Sequence, residues 1–75
     1  MKTLDRITID PHVCLGQPTI RGMRITVSAV LKALADGKSP ADVLDVFPEL
    51  EAEDVRQALA YASWAVSDRL HTVPA

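Results

Sequence analysis

The chain has 75 residues, a net charge of −2, 48% hydrophobic residues and only three aromatic ones. That composition fits one domain with a core of Val, Leu, Ile and Ala, small enough that a partner or a second copy is expected to help stabilise it. The single cysteine, Cys14, excludes an internal disulfide, no apolar run reaches the roughly 20 residues that span a bilayer, and Met1–Asp5 lacks a signal-peptide pattern, so a cytoplasmic protein with no membrane partner is expected.

Residues 1 to 9 alternate loosely, with Leu4, Ile7 and Ile9 apolar. They predict a short strand that must pair with another, either Ile25–Val27 or the same strand of a second copy. Turn signals follow at Asp10-Pro11, Gly16-Gln17-Pro18 and Arg21-Gly22, with β-branched residues between them. This reads as tight extended turns or a small hairpin, with Gly22 supplying a positive φ.

The first helix is predicted over 27–36. Val27, Val30, Leu31 and Leu34 form a core-facing stripe, Thr26 or Ser28 caps the start, and Gly37 ends it. The second helix is predicted over 40–46. Ser39 is its cap, Pro40 its first position, and Asp42 stands where a capping box would close. Val43, Leu44 and Phe47 point inward, while Asp42 and Asp45 point out. The third helix is predicted over 52–70, with Val55, Leu59, Ala62, Val66 and Leu70 on one face, widened by Ala58, Tyr61 and Ala65. Trp64 falls on its polar side, making it the best single interface candidate unless the tail or the N-terminal strand covers it. The fold expected is mainly α, with a short N-terminal β arm or hairpin and a three-helix, helix-turn-helix-like core of the homeodomain-like or winged kind. It is one domain: an arm over 1–26, a helical core over 27–70 and a tail over 71–75.

Several ordered pieces resemble a bacterial family known as domain of unknown function 433. They are Ile9-Asp10-Pro11, the run from Gly16 through Pro18, Ile20, Gly22, Arg24-Ile25 and Val27, then Gly37-Lys38-Ser39-Pro40, Phe47-Pro48-Glu49-Leu50 and Glu53-Asp54-Val55. The resemblance runs from about Arg6 to about Ala65. It implies a helix-turn-helix-like core and an antitoxin encoded beside a PIN-like nuclease toxin. Two positions depart from the family pattern. Met23 replaces a Thr, and Glu51 replaces a Thr or Ser cap, which predicts a weaker start to the last helix.

Charge is uneven. Residues 1–26 carry Lys2, Arg6, Arg21 and Arg24 against two acids, net +2; residues 36–57 carry two bases against seven acids, net −5. A helix-turn-helix would place the start of the third helix in the major groove. That start is acidic, and phosphate repulsion opposes it. Candidate DNA contacts are therefore Lys2, Arg6, Arg21 and Arg24, with Arg56 and Gln57 one turn in. The alternative for Arg21 and Arg24 is that they brace the turn against Asp10 or carbonyls near Gly16. Candidate partner contacts are Trp64, Tyr61, Asp42, Asp45, Glu53 and Asp54. His12 and Cys14 lack the further ligands of a zinc site, no triad or phosphate loop is legible, and neither enzymatic activity nor a cofactor is expected. Two functions are carried forward: an antitoxin that binds a PIN-like toxin and its own operator DNA, or a homodimeric interaction module with no nucleic-acid role.

Overall fold

The computed structural model describes residues 4–67. Two short strands, β1 (Ile7–Thr8) and β2 (Thr19–Ile20), are followed by three helices, α1 (Val27–Ala35), α2 (Pro40–Val46) and α3 (Ala52–Ser67). β1 pairs antiparallel with β2, setting Ile7 opposite Ile20 and Thr8 opposite Thr19. Thr19 also bridges Thr26 on its other side. The N-terminal strand thus pairs within its own chain, and Ile25–Val27 sits on the far side of β2 rather than against β1.

The turn after β2 has φ +49° at Arg21 and +72° at Gly22. Met23 donates back to the Ile20 carbonyl at 2.9 Å. Positive φ at both central residues is the type I′ geometry, whose twist suits a hairpin. Only Gly22 adopts it without steric cost.

The helix ends follow from local chemistry. Thr26 Oγ1 accepts from the Ala29 amide at 3.0 Å. At the other end of α1, Lys38 donates to Ala33 and Gly37 (φ +101°) to Leu34, the paired bonds of a Schellman motif. Ser39 and Asp42 close a full capping box on α2, at 3.1 and 3.0 Å. The aspartate reaches the Ser39 amide despite being one methylene shorter than Glu, and Pro40 occupies the first helical position.

The core is aliphatic: Ile20, Val27, Val30, Ala33, Val43, Leu50, Val55 and Ala58 are buried, with Phe47, Leu44 and Tyr61 packed on its edge. The three helices pack against one another, and β1 lies on α3. α3 corrects the predicted face. Leu59 and Val66 are exposed, whereas Asp54 and Gln57 are buried. Apolar spacing alone centred the helix on Val55, Leu59 and Val66. Polar partners from the arm rotate it instead toward Asp54 and Ala58. Positions 68–70, predicted to continue the helix, lie outside the described residues, as does the tail. No helix among the described residues is long and apolar enough to cross a membrane.

Candidate functional site

Two surfaces bear on function, and both involve α3. The first is polar. Asp54, at the third position of α3, has no exposed side-chain surface, yet it carries four hydrogen bonds. Its carboxylate accepts from Arg21 Nε at 3.1 Å and Nη2 at 2.8 Å, a bidentate fork. It also accepts from Arg6 Nη1 at 3.2 Å and from the Glu51 amide at 2.7 Å. Arg21 reaches past the carboxylate to the Glu49 carbonyl at 2.9 Å, and Arg6 pairs with Glu51 at 2.6 Å. Burial alone would raise the Asp54 pKa. Arg21, the Glu51 amide and Arg6 together outweigh it and hold the carboxyl below its ordinary value. A carboxylate at a helix N-terminus is also favoured by the helix dipole.

Gln57 completes this join one turn on. Its Oε1 accepts from the Arg6 amide and its Nε2 donates to Asp5 and Glu53, each at 2.9 Å. Glu53 in turn accepts from Arg56 Nε and Nη2, at 2.8 and 2.6 Å. Arg56 first, then Gln57, draw the Glu53 carboxyl down to about 2. Among the described residues no buried side-chain polar atom lacks a partner.

This geometry corrects several sequence expectations. Arg6 and Arg21 are not free arms, because both guanidiniums are held by Asp54. Gln57 is buried, and Arg56 is forked onto Glu53, so neither stands ready to read a base edge. Asp54 is interior, so it is not part of an acidic outer face. Glu51 gives the start of α3 no side-chain cap of the Ser or Thr kind; instead Asp54 accepts from its amide and Arg6 pairs with its carboxylate. Arg21 does brace the hairpin, but through Asp54 and the Glu49 carbonyl rather than through Asp10. The Asp10 carboxylate instead accepts from the His12 amide at 2.9 Å. Arg24 is exposed, and its carbonyl lies 3.6 Å from the Cys14 thiol. Asp42 is exposed but closes the α2 capping box, where the Ser39 amide holds its carboxyl below the ordinary value. Asp45 is exposed on the same helix. Lys2 lies outside the described residues. No sequence pattern pointed to the Arg6–Asp54–Arg21 cluster, although Asp three residues after a helix start is a capping signal that could have tied Asp54 to the helix end.

The second surface is apolar. Past Ala58, α3 outruns the elements that cover its first half. Tyr61, Ala62, Ala65 and Val66 form one wall of an open groove of about 270 Å3. Gln17, Pro18, Val27, Ser28 and Leu31 form the other. Trp64, 41% exposed, lies beside it with its ring 5.8 Å from that of Tyr61. Next to the Gln17–Pro18 wall is a tight turn, Cys14–Gly16, in which three successive residues have φ of 50°, 59° and 82°. Left-handed backbone costs an L-residue roughly 1–2 kcal/mol. The turn is held by Gly16 donating to Val13 and Gln17 to Cys14. It leaves Leu15 95% exposed.

Among the described residues no group of three or more His, Cys, Asp or Glu is placed to hold a metal ion. The family model for DUF433, a protein of unknown function, matches residues 7–62. The chain belongs to that family. Over 56 residues it is 38% identical to the uncharacterized protein y4eO of Sinorhizobium fredii, an alignment covering 75% of this chain and 25% of the relative. The chain therefore corresponds to about a quarter of that relative's length. No solved structure matches at a comparable level.

Proposed function

We propose that the domain is the antitoxin half of a toxin–antitoxin pair, acting in the cytoplasm by protein contact on a PIN-like nuclease. The class is our reading of the sequence resemblance, carried no further than a family of unknown function. The observation that carries the mode of action is that Arg6, Arg21 and Arg56 are each paired with a carboxylate of their own chain. The outward charge of α2 and the turn after it is then acidic, through Asp42, Asp45 and Glu49. A nuclease binds RNA through a basic surface, and complementary potentials speed and orient such an encounter. Operator DNA would be a weaker partner of this domain alone, since backbone neutralisation needs free cations.

The test is co-expression with the small protein of the neighbouring gene, followed by capture and an RNase assay. A stable complex that silences the nuclease, weakened by Asp45→Lys and Glu49→Lys, is the expected outcome. Failure to form a complex, with the nuclease still active, overturns it. The second reading is a homodimeric interaction module with no nucleic-acid role, favoured by the exposed Trp64 beside an open apolar groove.

A further inference from the structure

We infer that the apolar groove is the socket for Leu15 of a second copy of the chain, so that two copies associate about a two-fold axis and each supplies one leucine and one groove. This deepens the homodimer reading by naming its surface, and it does not depend on the antitoxin reading.

Leu15 is the most exposed large apolar side chain among the described residues, and it projects from a turn made of three left-handed residues. Two of them, Cys14 and Leu15, have no glycine freedom. Backbone of this kind persists only where its surroundings hold it, and it gathers at binding sites. Here it lifts a leucine away from its own core, where burial would otherwise favour it.

The same turn leads within two residues into Gln17 and Pro18, which wall the groove. Knob and socket are thus neighbours on one molecule. A two-fold operation that seats one leucine in the partner's groove seats the other reciprocally, the self-complementary contact of an isologous dimer. Size fits as well. A cavity on the order of 150 Å3 admits a benzene-sized guest, so about 270 Å3 accepts the four-carbon leucine side chain with part of its turn.

Charge does not oppose this occupant. No Asp, Glu, Lys or Arg occurs from Ala58 to Ser67, and none lines the opposite wall. Near a two-fold axis each group meets its own copy, so a charged patch would set like charges together. This uncharged face is where the chain meets itself without that repulsion. A strongly charged foreign partner would find its counter-charges on α2 instead.

The experiment is sedimentation of the full chain over a range of concentrations, for the wild type, Leu15→Asp and Val66→Asp. The wild type is expected to show a monomer–dimer equilibrium. Either variant is expected to raise the dissociation constant by about tenfold or more, the effect of losing one buried anchor. Leu15→Asp should leave the circular dichroism and melting profile of the monomer unchanged, because the side chain it replaces is exposed. Mixing the two variants restores one intact leucine–groove pair, so the mixture should associate more strongly than either alone. A wild type that stays monomeric overturns the dimer itself, and the groove then belongs to residues 68–75 of its own chain or to a foreign partner. A dimer that both variants leave intact overturns only the surface named here.

Discussion

The two halves of α3 answer to different physics. From Ala52 to Ala58 the helix is joined to the N-terminal arm by polar bonds that leave no buried polar side-chain atom unmatched among the described residues. From Leu59 to Ser67 it carries no charge, offers small and apolar side chains, and faces the start of α1 and Gln17–Pro18 across an open groove. The first half is saturated and therefore structural. The second has surface left to use. Among the described residues, two shorter helices leave the second half of this sixteen-residue helix with Leu59, Trp64 and Val66 exposed.

Asp54 puts this difference to its most severe trial. Asp54→Ala leaves two guanidiniums without their shared carboxylate and should cost about 3–5 kcal/mol, the usual penalty for removing one member of a buried ion pair. Total stability for 75 residues is of the order of 4–11 kcal/mol, so the variant is expected to be largely unfolded or close to it in urea titration. Gln57→Ala strands the Arg6 amide and should cost about 1–3 kcal/mol in the same titration. An unchanged urea midpoint for both variants would show that the arm contributes little to holding α3.

Acid probes the same half more gently. The Glu53 carboxyl lies at about 2 in the folded chain against an ordinary 4.5, and Asp54 is also lowered from 3.8. Lowered values favour the folded state above the ordinary ones, so their contribution is intact at pH 6 and is lost as the pH falls through 4.5 toward 2. Melting temperatures recorded from pH 6 to 2 should therefore drop through that window. A flat profile would contradict the pairing.

The smallest effect belongs to the other half. Trp64→Ala removes a half-exposed ring that meets Tyr61, and should cost no more than about 1 kcal/mol in the monomer by thermal melting. A large loss would mean that this end is as structural as the first.

Helix positions, caps and the aliphatic core were legible because each has a local signal. Ser39-Pro40 marked one start, Gly37 one end, and Val43 and Phe47 an inward face. The strand pairing was not legible: Ile25–Val27 and a second copy were the partners expected, and Thr19-Ile20, two residues wedged between turn signals, gives too short a run to announce a strand. The rotation of α3 was also hidden. Its cause is a long-range match between Arg6, Arg21 and Asp54, and sequence spacing treats a buried aspartate as a surface one. The exposure of Leu15 was hidden for a related reason, since nothing in Cys14-Leu15-Gly16 announces left-handed backbone at a leucine. The family likeness named a family of unknown function and not the role of any of these side chains.

The bond between Arg6 and Asp54 spans 48 residues of chain. During synthesis the arm emerges first, and at about 5–20 residues per second it waits several seconds for its counterpart. Through that interval two arginines and both strands lack the helix that fixes them. A polypeptide released before Gln57 could not close its own join. Copies cut short of that residue therefore lack the join, and this domain closes only once the first half of α3 has been made.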